Sequence, residues 1–320
     1  MERSLSRGRR YGGGVKLEAR KQGSKETKKD SCAPALSCLD LGLINYEKAS
    51  RLQEELRERR LGGDISNTVL LLEHPPVFTL GRRACEADII SPRELIARDG
   101  IKIIKTNRGG LVTYHGPGQL VGYFICSIRE MIKTSQIPPL CKGRKGGVDN
   151  NLPPLTPPYK GGVYGSIERF VWLIEEVLLR LLSDFNITGE RDADHPGIWI
   201  NRKKIAAIGL HVTRGITQHG FSFNVDCDLS HYRHIVPCGI TGRGITSLKV
   251  LLGKAPLMAE IKQRVVTHLE RVFGPALKRQ SANGSMSLYD EDVGSAGLKV
   301  RLPSDCTDSS DDEGSSKTST

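Results

Sequence analysis

The chain has 320 residues, a formal charge of +11 and eight cysteines, a length that holds one large domain or two ordinary ones. No run approaches eighteen consecutive apolar residues, and the basic N-terminus (Arg3, Arg7, Arg9, Arg10) is followed by no apolar signal core, so the expectation is a cytoplasmic protein with no membrane association. The cysteines (Cys32, Cys38, Cys85, Cys126, Cys141, Cys227, Cys238, Cys306) form no C-x-x-C pair, against a disulfide framework or a zinc site, and the basic charge accompanies no nucleic-acid recognition pattern.

Residues 1–36 are rich in Gly, Ser, Lys and Arg without an apolar period, and read as a disordered basic tail. Tyr46, Ala49, Leu52 and Leu56 then share one helical face. "TVLLLEHPPVFTL" (68–80) predicts strand, turn and strand, broken at Pro75 and Pro76. "IKIIKTNRGGLVTYHGPGQLVGYFIC" predicts two strands around a Gly-rich bend. Residues 134–164, with the half-repeat "IPPLCKGRKGG" and "LPPLTPPYKGG", read as an inserted Pro/Gly-rich surface loop. Ile167, Phe170, Val171, Ile174, Leu178, Leu181 and Leu182 mark a long core helix. "GIWINRKKIAAIGLHV" reads as a hairpin turning near Asn201 and Arg202, Gly220 to Val225 as a strand, and Met258, Ile261, Val265, Leu269 and Val272 as a closing amphipathic helix. From residue 278 the chain turns Ser-rich and acidic, and 278–320 reads as a second disordered tail. The folded part is therefore expected at 37–277. Its order of strands and helices predicts an α+β fold, a mixed or antiparallel sheet packed with helices.

Three segments carry chemistry. In "RGGLVTYHGPGQLVGYF" (Arg108 to Phe124), Gly109 and Gly110 let backbone approach a ligand, and exposed N–H groups there suit an oxygen. His115 fits either a cleft or a hydrogen-bonded turn, and the Gly-Lys-Ser/Thr ending of a phosphate loop is missing. In "KKIAAIGLHV", Lys204 enters an apolar run, where a partly desolvated amine suits proton transfer; an exposed hairpin lysine is the alternative. In "HIVPCGITGRGITSL", Pro237 and Gly239 hold Cys238 in a constrained loop. Its thiolate would need Lys204, His115, Arg243 or backbone N–H groups as support. A structural thiol and a metal ligand are the other readings; His231, His234 and Cys238 have no second ligand cluster to complete a metal site.

Together these segments resemble the lipoyl(octanoyl) transferases of lipoate biosynthesis, from "LGLINYEKA" and "LLLEHPPVFTLGRRA" through "RGGLVTYHGPGQLVGY", "KKIAAIGLHV" and "PCGITG" to the helix ending near residue 273. The resemblance implies a fold like the catalytic domain of biotin and lipoate protein ligases. It implies transfer of octanoyl from octanoyl-acyl carrier protein to a lysine of lipoyl domains, those of 2-oxoacid dehydrogenase complexes and of the glycine cleavage H protein. Cys238 would carry the acyl group as a thioester, and Lys204 would lower the thiol pKa and shuttle protons. Arg108, Gly109, Gly110, Leu111, Val112, Thr113, Tyr114 and His115 would line the acyl pocket with Ala207, Ile208, Gly209, Gly220, Phe221 and Ser222. Glycine N–H groups of the Arg-Gly-Gly bend, or around Cys238, would stabilise the oxyanion. Thioester exchange needs no nucleotide activation, so no metal or organic cofactor is expected. The rivals are a nucleotide-dependent lipoate or biotin-type ligase, a Cys–His hydrolase using His115 and Cys238, and a basic scaffold or nucleic-acid binder.

Overall fold

The computed structural model describes residues 36–137, 166–236, 242–274 and the backbone of 277–280. The first 35 residues, most of the segment read as an insertion, the Cys238 segment 237–241 and residues 281–320 lie outside the described residues.

In chain order the elements are β1 (Leu36–Leu43), α1 (Tyr46–Gly62), β2 (Asn67–Glu73), β3 (Val77–Leu80), α2 (Arg93–Arg98), β4 (Lys102–Lys105), β5 (Val112–His115), β6 (Gln119–Ile125), α3 (Ile128–Thr134) and α4 (Ser166–Ser183). They continue with β7 (Glu190–Arg191), β8 (Gly197–Ile200), β9 (Lys203–Thr213), β10 (Ile216–Asn224), β11 (Gly244–Ile245), α5 (Leu248–Leu252), α6 (Met258–Phe273) and β12 (Leu277–Gln280). A 3-10 turn, Leu229–His234, precedes the Cys238 segment.

The large sheet runs β12-β1-β2-β6-β10-β9-β8-β7, with β11 added beside β9. β1 is parallel to β12 and β2, β11 is parallel to β9, and the other neighbours are antiparallel. A smaller sheet, β4-β3-β5, lies apart from it. The expected α+β class with a mixed sheet holds. Three details differ from the sequence expectation. The Gly-rich run contains three strands, β4, β5 and β6, because it bends twice, at Arg108–Gly110 and at Gly116–Gly118. β1 begins at Leu36, within the boundary drawn for the basic tail, and β12 overlaps the start of the acidic segment.

Period-2 burial explains the layers. Val69, Leu71, Leu120 and Phe124 face α3, α4 and α6, where Phe170, Ile174, Leu178 and Phe273 pack; the Phe124 and Phe170 rings meet edge-on with centroids 5.6 Å apart. Leu70, Leu72, Val121 and Ile125 face the other way, onto Ala49, Leu52 and Leu56 of α1. Helix α1 ends on Gly63, left-handed at φ +84°, with Arg59 and Arg60 complementing its C-terminal dipole. The small sheet has its own core of Phe78, Leu80, Ile96, Ile101, Val112, Tyr114 and Ile235. Among the described residues no helix is long and apolar enough to cross a membrane, and Cys38, Cys85, Cys126 and Cys227 form no disulfide.

Candidate active site

A cleft with about 710 Å³ of space, part of it open to solvent, lies between β9–β10 and the Arg108–His115 segment. The two walls touch through backbone: Gly109 N–H donates to the Leu210 carbonyl at 3.0 Å. A Cβ on Gly209 would come within 2.8 Å of the Gly109 carbonyl oxygen, so the approach needs glycine. Arg108 fixes the bend from below, donating from Nε to Thr79 Oγ1 at 3.0 Å and from Nη1 to the Gly109 carbonyl at 3.0 Å.

The cleft floor is a buried cluster of Tyr46, His74, His115, Tyr123 and His219. Gln119 donates its amide to the Tyr114 carbonyl and Asn224 Oδ1, which turns its oxygen to accept from His115 Nδ1 at 2.7 Å. His115 Nε2 then accepts from Thr79 Oγ1 at 3.3 Å. His74 donates to the Ile44 carbonyl and accepts from the Tyr123 hydroxyl, both at 2.7 Å. His219 donates to Asn107 Oδ1 at 2.6 Å. These are neutral imidazoles. Burial depresses His74 to about 4, His219 to about 3 and His115 well below its ordinary value. Burial also pushes Tyr46 up to about 12 and Tyr123 well up. The floor is therefore uncharged, which suits an apolar chain. His219 reaches it through a left-handed backbone (φ +60°), its N–H accepted by Gln53 Oε1 of α1 at 2.7 Å. Rather than following Phe221 into the helix-side core, its ring stands 5.8 Å from Tyr123.

Lys204 closes the other end. The β8–β9 hairpin turns through Asn201 (φ +47°) and Arg202 (φ +65°), the left-handed pair of a tight two-residue turn. A register shift leaves Ile205 as an extra residue on β9, so Lys204 stands opposite Trp199. Lys204 is only 5 % exposed, which removes the reading of an ordinary exposed hairpin lysine. Its Nζ donates to the Pro196 carbonyl at 3.3 Å and lies 4.7 Å from the Trp199 ring centroid. Arg243 covers the same ring at 4.7 Å and is ion-paired with Asp192. Burial opposes ionisation of Asp192, but hydrogen bonds from Arg243, His195 and the Asp194 N–H hold its carboxyl at about 2.

The chain on either side of the Cys238 segment converges on Lys204. Tyr232, before it, and Ile245, after it, line one small hollow with Lys204, Thr113, Ser222 and Asn224. β11 pairs Gly244 with Lys203 and Ile245 with Lys204, and Thr246 N–H donates to the Lys204 carbonyl at 3.0 Å. Cys238 itself lies outside the described residues.

Of the pocket residues expected from the sequence, Arg108, Gly109, Gly110, Leu111, Val112, Thr113, His115, Ala207, Ile208, Gly209, Gly220, Phe221 and Ser222 lie on the cleft with Lys204. Tyr114 does not. Strand alternation turns it into the small-sheet core, where its hydroxyl donates to His231 Nδ1 at 2.8 Å. The Gly109 N–H, expected as an oxyanion donor, is taken by Leu210. His115, the base of the Cys–His alternative, is buried with both nitrogens engaged. Tyr46, Arg83, Tyr123, Asp194, His195, Pro196 and His219 also line the cleft and were not anticipated. The polar run "DADHPG" immediately before the hairpin was the one local signal for three of them.

Residues 45–137 and 152–270 match the lipoyl protein ligase A/B catalytic domain; the interruption falls within the segment read as an insertion. An octanoyltransferase of Alkaliphilus metalliredigens is 41% identical over 239 residues, 74% of this chain and 95% of that protein. One of Acidobacterium capsulatum is 39% identical over 251 residues, 77% of this chain and 91% of the relative. In fold, the chain is similar to a lipoate-protein ligase A solved with ATP (TM-score 0.54, 12% identity, 78% of this chain and 89% of the other). It is also similar to a bipartite lipoate protein ligase of Thermoplasma acidophilum (TM-score 0.53, 12% identity, 77% and 86%). At that identity the two structures speak for the fold alone. The chain belongs to the octanoyltransferases of the lipoyl protein ligase A/B catalytic-domain family.

Proposed function

We propose that this acyltransferase takes octanoyl from octanoyl-acyl carrier protein, holds it as a thioester on Cys238, and delivers it to the lysine ε-amine of a lipoyl domain. The observation that carries the reading is the burial of Lys204 at the end of a cleft with an uncharged floor, where both flanks of the Cys238 segment converge. In the first step the Cys238 thiol gives its proton to the Lys204 amine, and its sulfur attacks the thioester carbonyl. The carbon–sulfur bond to the carrier breaks, and the carrier thiolate recovers the proton from Lys204. In the second step the acceptor amine attacks the Cys238 thioester. An amide forms, the Cys238 thiolate leaves, and the proton of the amine returns to it through Lys204.

The first exchange is nearly isoenergetic, and amide formation makes the second downhill. The methylenes of an octanoyl chain, at roughly 0.8 kcal/mol each when buried, give about 5 kcal/mol toward binding in the cleft. Neutral histidines on the floor keep that environment free of charge. The sequence supports a catalytic domain at 37–277 with 134–164 inserted. The reading also includes a cytoplasmic setting. Acceptors among 2-oxoacid dehydrogenase lipoyl domains and the glycine cleavage H protein belong to the same reading.

Incubation with octanoyl-acyl carrier protein followed by intact mass measurement tests the proposal. A hydroxylamine-labile octanoyl adduct is expected, absent in Cys238→Ala. Lys204→Ala should keep the fold and slow acylation at least tenfold (about 1.4 kcal/mol in barrier). An adduct that survives Cys238→Ala, or octanoyl transfer that requires ATP and free octanoate, overturns it.

A further inference from the structure

Glu175, in the middle of α4, has no part in the reaction just described, yet it is fully buried beneath it. Its Oε1 accepts the N–H of Gly197 at 3.0 Å. The carbonyl of the same peptide unit, that of Pro196, accepts from Lys204 Nζ at 3.3 Å. One trans peptide group therefore has the Glu175 carboxyl on its N–H end and the Lys204 nitrogen on its C=O end. Hydrogen bonds in such a chain polarise one another, so negative charge on the N–H side makes the carbonyl a stronger acceptor.

The backbone is built for this placement. Gly197 has φ +131°, and a Cβ there would come within 2.2 Å of the Ala206 carbonyl oxygen. No other residue lets β8 lie this close to β9 while aiming the Pro196 carbonyl at Lys204. At the start of the same short segment, Asp192 is clamped by Arg243 and His195, and the Trp199 indole donates to the His195 carbonyl at 3.2 Å. The charged groups that act on Glu175 are Arg191 on β7, with Nε 3.3 Å from Oε2, and Lys204 on β9, and Glu176 is its neighbour on α4. Arg191 and Arg180 both pair with Glu176, and Arg191 and Arg169 cover the Trp172 ring.

We propose that Glu175 is a positioning residue for Lys204, acting through the Pro196–Gly197 peptide, which its carboxylate orients and polarises. The proposal rests on the proton-shuttling role of Lys204. Burial pushes the Glu175 carboxyl up to about 7, against the Gly197 hydrogen bond and Arg191, so its charge changes near neutral pH. A neutral Glu175 leaves the peptide in place and weakens its hold on the ammonium.

Glu175→Gln separates charge from shape, since an amide oxygen still accepts from Gly197. The limiting rate of Cys238 acylation by octanoyl-acyl carrier protein at high pH, where Lys204 is a free amine, should fall up to about tenfold with KM for the carrier unchanged, because a less stabilised ammonium makes Lys204 a weaker base. Competitive acetylation with peptide mapping should show Lys204 half-labelled about one pH unit lower than in the unsubstituted protein. A folded Glu175→Gln protein with unaltered acylation and Lys204 labelling overturns the proposal, provided Lys204→Ala is slow. If Lys204→Ala itself acylates normally, the role of Lys204 falls, and the proposal with it. Should Glu175→Gln not fold, the unsubstituted protein serves: its Lys204 labelling curve should carry a second inflection near pH 7, and a single step overturns the proposal.

Discussion

Gly209 and Gly109 face each other where the two cleft walls touch; Gly209 has no room for a side chain, and at Gly109 a Cβ would be tight, 3.0 Å from the Leu210 carbonyl oxygen. Gly209→Ala places a methyl within 2.8 Å of the Gly109 carbonyl oxygen, which must move together with Arg108. The expected outcome is a loss of about 1–3 kcal/mol in urea unfolding and slower octanoylation, because overpacking here displaces a wall of the site. At this scale the sequence was most legible where neighbours in the chain are neighbours in the cleft. The Arg108–His115 run and Ala207–Gly209 are of that kind. Tyr46, Tyr123 and His219 were not legible, since strands and a helix far apart in sequence bring them together. Tyr114 was assigned to the pocket through its motif, and the period of two in β5 turned it away.

The contact between α1 and β10 shows how elements share the work of shaping the site. Gln53 sits among the apolar residues of the α1 face, and its Oε1 accepts the N–H of the left-handed His219. Gln53→Leu would leave that buried N–H without its acceptor, a loss of about 1–3 kcal/mol. Relaxation of His219 toward a regular strand should then disturb the cleft floor. Thermal unfolding and the chemical shifts of the His219 ring check both effects, and unchanged stability would contradict the assigned role. The 3.6-residue period made α4 and α6 plain, and Asn201-Arg202 marked the hairpin turn. β1 was hidden because a short apolar run adjoins a basic segment. The division of the Gly-rich run into β4, β5 and β6 was hidden because its strands serve two different sheets.

For the whole molecule, the buried histidines set the response to acid. An unfolded histidine titrates near 6.5, whereas His74 and His219 in the fold titrate at about 4 and about 3, and His115 lower than its ordinary value. The fold binds fewer protons than the unfolded chain throughout that window. This contribution is therefore complete above pH 6.5 and is lost as pH falls toward 4 and then 3, at up to about 1.4 kcal/mol per pH unit for each group. Glu175 works in the opposite direction: its raised pKa makes stability decline as pH rises from about 4.5 to about 7. Urea midpoints measured from pH 8 to pH 4 should fall steeply below 6.5, and His74→Gln or His219→Gln should flatten that fall. The α+β class was readable from the order of elements. The strand order was not, because β6 pairs with β2 and β10, drawn from opposite ends of the catalytic region.

The seam between Gly109 and Leu210 gives the cleft a fixed gauge. On that side the wall is main chain meeting main chain, which cannot swing aside as a side chain would. In the proposed reading a straight acyl chain fits beside it, and a carrier bearing a 2-methyl acyl group should acylate the enzyme more slowly than octanoyl-acyl carrier protein in the intact-mass assay.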